Sequence, residues 1–289
     1  MTDTPLQAAG ITEKRKYLSF SQLNVYQQCG TKFDLSYVHK APREPQGAFL
    51  GGIAVHDSIA VAEDAGWWKD APSLMTSEHP LLATFHEKFD ELVKQNGGAA
   101  AIRWGGKMVR GHNEDKPWWD TNGEFMLRRY AVTRQTWHDA GLVSVPGGTE
   151  MRVVTTLPGV SLPVVGYLDK FLARRVDPDT GELLGHGIVD WKTGQIGRAE
   201  PFQFATYARQ VRVALDIDVE WGLAVFLRAA DEADRLAPVI FQGLVEHIDE
   251  VYATLGRGIE AGEFLPKPSS YCSSCSVRDA CWYWKATNP

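Results

Sequence analysis

Apolar positions recur at helical spacing through the first half of the chain and change to strand-like alternation near residue 150. Ser19 to Cys29 reads as a helix with Ser19 or Ser21 as its N-cap. Residues 40–51 read as a loop, and Gly52 to about Ala65 as a helix carrying His56. Leu82, Phe85, Phe89 and Leu92 predict a helix over 78–96. Residues 97–122, rich in Gly, Trp and charge, read as a long loop, and 123–140 as another helix. Glu150–Leu157, Val164–Arg174 and His186–Trp191 are β-rich runs, with a turn at Asp177–Glu182. A helix follows from about Glu200 to Leu215, striped by Phe204, Tyr207, Ala208, Val211 and Leu215. Trp221–Leu227 and Pro238–Val245 are further strands, and Ile248–Ala261 is a helix. This order predicts an α/β fold. Its central sheet is mixed, because the turn at 177–182 favours an antiparallel hairpin. Residues 1–16 read as a disordered leader and 17–289 as one domain.

Composition narrows the class. The chain has 289 residues, 44% hydrophobic and 23% charged, which suits a globular protein with a full core. No apolar run reaches membrane-spanning length, and Met1–Lys16 lacks the apolar centre of a signal peptide. A cytoplasmic protein without a membrane partner is expected. There, four cysteines suit a metal or a cluster better than disulfides. A net charge of −6 argues against a non-specific nucleic-acid coat, but it leaves room for an enzyme with a local basic groove.

The candidate chemistry lies in two sets of residues. Asp190 and Lys192 flank Trp191 on an expected strand, so they share one face while Trp191 points away. A carboxylate can hold Mg2+ or Mn2+, and an adjacent amine can orient water or stabilise charge on a phosphate. Asp169, on the preceding strand of the hairpin, can approach Asp190, and Gly166 lets the backbone come close. His56 can add an imidazole. Each piece also has a plain structural reading: a surface salt bridge for Asp190–Lys192, a buried histidine, a turn cap for Asp169. Gln203 and Tyr207 are one helical turn apart and could be packing alone.

The second set is the cysteines. Cys272, Cys275 and Cys281 follow a C-x2-C-x5-C spacing, and Cys29 lies more than 240 residues earlier. Thiolates suit zinc or an iron–sulfur cluster, and zinc sites more often come as two close pairs. In the long loop, Arg103, Trp104, Lys107, Arg110, Lys116, Trp118 and Trp119 interleave charge and aromatic groups. Such a segment could track single-stranded DNA, or it could be a solvated loop with packed tryptophans.

Taken in order, these residues resemble the PD-(D/E)XK nucleases, in particular RecB-like exonucleases with an iron–sulfur cluster. That group includes the nuclease domain of AddB-type helicase–nucleases, the CRISPR-adaptation nucleases and phage-encoded relatives. The resemblance runs from about Ser19 to Trp284. It rests on Cys29, His56, Gly166 to Asp169, Asp190 to Lys192, Gln203 to Tyr207, and Cys272, Cys275 and Cys281. It implies that His56, Asp169, Asp190 and the Trp191 carbonyl bind Mg2+ or Mn2+. By the same resemblance Lys192 is catalytic, and Gln203 and Tyr207 position DNA. Glu150 stands where relatives often carry an acidic residue. The four cysteines would hold a 4Fe–4S cluster with a structural role. The implied organisation has cluster-binding segments at 17–50 and 266–289, a helical region at 51–148 and a catalytic α/β core at 149–265. The implied activity is metal-dependent DNA hydrolysis on single strands or ends, in recombination, repair or phage replication. A homo-oligomer, or a recombination or replication partner, would fit such a role. A CRISPR-adaptation nuclease, a non-catalytic iron–sulfur DNA-binding scaffold and a redox protein are the competing readings.

Overall fold

The structure is a computed structural model that describes residues 16–69, 76, 78–105, 114–194, 197 and 199–288. Apart from Lys16, the expected leader lies outside them. In chain order the elements are α1 (Phe20–Gln28), α2 (Gly30–Phe33), a π-helical turn (Asp34–Val38), α3 (Gly47–Ala65), α4 (Pro80–Gln95) and α5 (Lys116–Asp139). Then come β1 (Val143–Thr155), β2 (Val164–Val176), β3 (Leu183–Lys192), α6 (Pro201–Leu215) and β4 (Trp221–Phe226). α7 (Glu232–Arg235), β5 (Leu236–Pro238), α8 (Gln242–Val245), α9 (Ile248–Glu260), two 3-10 turns and α10 (Trp282–Thr287) complete the chain. Among the described residues no helix is long and apolar enough to cross a membrane.

The strands form one five-stranded sheet in the order β1-β2-β3-β4-β5. β2 and β3 are antiparallel, β3 and β4 parallel, and β4 and β5 antiparallel, so the sheet is mixed, as the hairpin turn predicts. α6 is the crossover between the two parallel strands, a connection that such a pair requires. The chain divides into two compact units. One holds the described residues up to Arg43, Thr156–Val165 and those from Asp249 onward; the other holds Glu44–Thr155 and Gly166–Ile248.

The second unit has the larger core. Leu81, Leu82, Phe85, Phe89, Trp119, Tyr130 and Trp137 from α4 and α5 are buried with Leu172, Val189, Trp191 and Val225 of the sheet. In the first unit, Leu18 bridges Val164, with Val165 donating to the Leu18 carbonyl at 2.8 Å. The Tyr26 hydroxyl donates to the Glu263 carbonyl at 2.8 Å, Thr31 donates to the Phe264 carbonyl at 3.0 Å, and Phe33 stacks on Phe264. Distant parts of the chain are thus joined by hydrogen bonds and aromatic contact.

Several boundaries differ from the sequence reading. α3 begins at Gly47 rather than Gly52, because its glycines serve close approach: a Cβ on Gly51 would sit 2.2 Å from the Trp119 ring. α5 begins at Lys116 inside the expected loop, with Asp115 accepting from the Trp118 N–H and Pro117 in the first turn. β1 begins at Val143 rather than Glu150 and runs through Pro146, Gly147 and Gly148. The expected strand over Pro238–Val245 is only β5 and a helical turn. After Val239 donates to the Gly222 carbonyl, Phe241 stacks on Phe204, and Gln242 bonds the Glu220 carbonyl and the Phe241 N–H.

Candidate active site

Strand alternation positions the first site. Trp191 is buried on one sheet face, stacked on Trp137 at 5.7 Å and edge-on to Tyr130 at 5.1 Å. Asp190 and Lys192 therefore point the other way, toward α6. The pairing of Lys170 with Val189 sets Asp169 level with Asp190 on the neighbouring strand. Asp169 Oδ2 accepts the Trp191 N–H at 2.8 Å and lies 3.5 Å from His56 Nδ1 on α3. Lys192 Nζ lies 2.6 Å from Asp190 Oδ2.

Gln203 links this pair to α6. Its Nε2 donates to Asp190 Oδ1 at 2.6 Å and to the Tyr207 hydroxyl at 3.3 Å, and its Oε1 accepts from Lys192 Nζ at 3.0 Å. One amide thus fixes both a carboxylate and an amine, which sets which way it points. Gln203 and Tyr207 are buried and engaged with the Asp190–Lys192 pair. α6 comes this close to β2 because of Gly166, where a Cβ would lie 2.3 Å from Gln210 Oε1.

His56, Glu150 and Asp169 each place one ligand atom within 4.8 Å of the others. Glu150 reaches this group from an unusual backbone: its φ is +43°, left-handed, in the middle of β1. Such strain in a non-glycine residue costs on the order of 1–3 kcal/mol and is retained where the surroundings dictate it. Burial pushes the Asp169 carboxyl up to about 7; Asp190 and Glu150 add to this, while His56 and the Trp191 N–H oppose it. Glu150 is also raised, first by desolvation and then by Asp57 and Asp190, against the opposing effect of His56. The crowding of partly desolvated carboxylates is what a divalent cation would relieve, and the donors are the hard oxygen and imidazole groups that Mg2+ or Mn2+ accept.

The profile of the PD-(D/E)XK nuclease superfamily matches residues 17–282. The chain belongs to that superfamily. Members of it are nucleases that hydrolyse phosphodiester bonds. The five-stranded mixed sheet with flanking helices fits the PD-(D/E)XK core. A search of curated proteins gave no significant match.

On this PD-(D/E)XK core the structure gathers His56, Asp169, Asp190, Trp191, Lys192, Gln203 and Tyr207 into one place. It also brings in Glu150, which the sequence reading noted only as standing where relatives often carry an acidic residue. Its position after Gly147-Gly148-Thr149 was the available signal: a glycine pair can bend a strand and re-aim the carboxylate that follows. The described members of the expected DNA-tracking segment make internal contacts. Arg103 pairs with Glu44 at 3.2 Å, and Trp104 donates to the Ala99 carbonyl and packs on Phe89. Lys116 binds Asp90 and Asp120, and Arg228 covers Trp118 and Trp119. Lys107 and Arg110 lie outside the described residues.

In the other unit, Cys29, Cys272, Cys275 and Cys281 all line one cavity of about 320 Å³. None forms a disulfide. The Lys267 N–H points at Cys29 Sγ and the Ser269 N–H at Cys272 Sγ, both at 3.4 Å. Lys32, Lys267 and Arg278 also line the cavity, so cations surround the sulfurs. Among the described residues, the His56 trio is the one group with three ligand atoms within 4.8 Å of one another. The cysteine sulfurs are spaced more widely than that.

Proposed function

We propose that this PD-(D/E)XK protein is a Mg2+- or Mn2+-dependent DNA exonuclease. It acts in the cytoplasm on single strands or DNA ends during recombination, repair or phage replication. The observation that carries the reading is the convergence of Asp169, Asp190 and Lys192 with His56 and Glu150. His56, Asp169, Glu150 and Asp190 would hold the cation, with the Trp191 carbonyl as a further ligand. When bound, the ion supplies Lewis-acid stabilisation of charge on the phosphate and favours deprotonation of water.

The chain's own groups do the rest. Lys192 orients the attacking water and offsets negative charge that develops on the phosphate oxygens. Asp190 and Gln203 hold its ammonium in place, so little reorganisation is needed when the substrate arrives. Tyr207 fixes Gln203, which makes Gln203 and Tyr207 positioning residues for the Asp190–Lys192 pair.

The same proposal assigns a 4Fe–4S cluster to the four cysteines. Support comes from their shared cavity and the N–H groups on two sulfurs. A single tetrahedral zinc needs sulfurs roughly 3.8 Å apart, given Zn–S bonds of about 2.3 Å, and no three of the four cysteine sulfurs lie within 4.8 Å of one another. The cluster would brace the first unit, whose short turns have little core of their own.

The test is Mn2+-dependent degradation of end-labelled single-stranded DNA by anaerobically purified protein, beside Asp190→Ala. Metal-dependent loss of label that disappears in the variant is the expected result. A protein with an iron–sulfur chromophore that leaves single strands, duplexes and circles intact would overturn the nuclease reading in favour of a DNA-binding scaffold.

A further inference from the structure

Behind the site lies a buried charge network that the chemistry above does not use. Glu63 on α3, Arg134 on α5 and Lys170 on β2 have side chains only 1–2% exposed. Glu63 Oε1 accepts from Arg134 Nε and from the Tyr130 hydroxyl, each at 3.0 Å, and Glu63 Oε2 lies 2.7 Å from Lys170 Nζ. Arg134 also donates to Ser144 Oγ at 2.8 Å and stacks over Trp68 at 4.2 Å. Lys170 donates to Thr149 Oγ1 at 2.7 Å.

The attachment points of this network are specific. Lys170 follows Asp169 on β2. Thr149 precedes Glu150 on β1. Glu63 lies seven residues after His56 on α3, two helical turns along the same stripe. Asp169 and Glu150 are therefore each next to a residue that the network ties down, and His56 shares its helix with a third, two turns away. The left-handed backbone at Glu150 needs such a tie, because a strained residue persists only where its surroundings over-determine it. A core in which apolar groups of similar volume would pack as well has little stability reason to keep three buried ions.

We propose that Glu63, Lys170 and Arg134 are positioning residues that set the mutual spacing of His56, Glu150 and Asp169, with the Lys170–Thr149 hydrogen bond holding Glu150 in its left-handed conformation. The inference rests on the reading of that trio as the divalent-metal site. None of the three network residues touches substrate.

The test measures Mn2+ binding to the full-length protein by electron paramagnetic resonance of the free ion, with thermal unfolding in parallel. Thr149→Val removes only the hydroxyl acceptor and leaves Glu63–Lys170 intact. It is expected to weaken Mn2+ binding on the order of tenfold, as lost outer-shell contacts do. Thr149→Ser, which restores a hydroxyl, is expected to bind as the unmodified protein does. Glu63→Gln should weaken binding at least as much; if it does not fold, the Thr149 pair decides. Phe89→Leu, in the core on α4, lowers stability without touching the network and should leave Mn2+ binding unchanged. Unchanged affinity in folded Thr149→Val and Glu63→Gln overturns the proposal, as does an equal loss in Phe89→Leu. If the unmodified protein itself binds no Mn2+, the metal-site reading falls and takes the proposal with it. Binding that is the same in all variants sinks the positioning role alone.

Discussion

The two ligand-bearing regions are built in opposite ways. The carboxylate site stands on the long helix α3 and strands β1, β2 and β3, with Trp191 and Tyr130 packed in the core beneath it. The cysteine cavity stands on the end of α1, two 3-10 turns and the start of α10, and its sulfurs are partly exposed. Hard donors sit on elements whose geometry the hydrophobic core already dictates, so that site can exist before its ion arrives. Soft donors sit on turns with little buried surface, so their geometry depends more on what they bind. On the proposed reading, one region is a scaffold that would receive a metal and the other a scaffold that a cluster would complete.

The largest effect should separate the two directly. Closing the long loop between Cys29 and Cys272 through a shared cluster would contribute about 5–6 kcal/mol in the chain-entropy account. Cys29→Ala is expected to lower iron content and thermal stability together. Amide exchange should accelerate in α1 and in residues 264–288 while β3 and β4 stay protected. Full iron retention, or exchange that rises equally in β3 and β4, would erase the contrast.

Next, Lys192→Ala is expected to slow single-turnover cleavage on the order of 10²-fold, about 3 kcal/mol of barrier, with iron content and melting temperature unchanged. Normal cleavage by this variant would remove Lys192 from the chemistry.

Gly166→Ala probes the contact between α6 and β2. The added methyl would meet Gln210, and overpacking of this kind costs about 1–3 kcal/mol. A lower melting temperature together with slower cleavage is expected, because α6 carries Gln203. A variant with unchanged melting temperature would show that α6 can yield there.

The smallest effect is one of pH. In the metal-free protein Asp169 titrates near 7, above its ordinary 3.8, because of burial and the neighbouring carboxylates. Its folded state holds the proton more tightly than the unfolded chain, so this group's contribution to stability is full below about 4 and is lost as pH rises through about 7. Metal and proton compete for the same carboxylate. Mn2+ affinity should therefore rise by up to about tenfold per pH unit on approaching neutrality and then level off. Asp190→Asn removes one of the raising charges and should move that profile to lower pH. A calorimetric titration that found the same profile in both proteins would rule out the coupling.

Much of this was legible in the sequence where one local rule acted alone. The stripe Leu82, Phe85 and Phe89 announced α4, and the alternation at Asp190, Trp191 and Lys192 sorted core from site. The Asp177–Glu182 turn foretold the antiparallel hairpin and hence the mixed sheet. Legibility failed where tertiary packing reversed a local preference. Gly47 and Gly51 look like a loop until Trp104 and Trp119 show why one face of α3 must be bare. Pro146, Gly147 and Gly148 lie before the expected strand, yet the sheet carries them within β1. Glu150 could not be placed because its role depends on one backbone angle. Glu63 and Lys170 resemble ordinary surface charges, and only their burial reveals a network. Gln203 and Tyr207 were visible as a pair, but their partners were not.

The first unit is assembled from three separated stretches of chain, and this has a consequence during translation. Cys29 leaves the ribosome long before Cys272 is made. The roughly 240 intervening residues take on the order of 12–50 s at about 5–20 residues per second. For that interval α1 waits for Glu263 and Phe264, and its thiol meets the solvent unaccompanied. The unit that carries the carboxylate site ends at Ile248, so all of its residues are made before Cys272. The nascent protein would then pass through a stage in which its carboxylates have gathered and its cysteines have not.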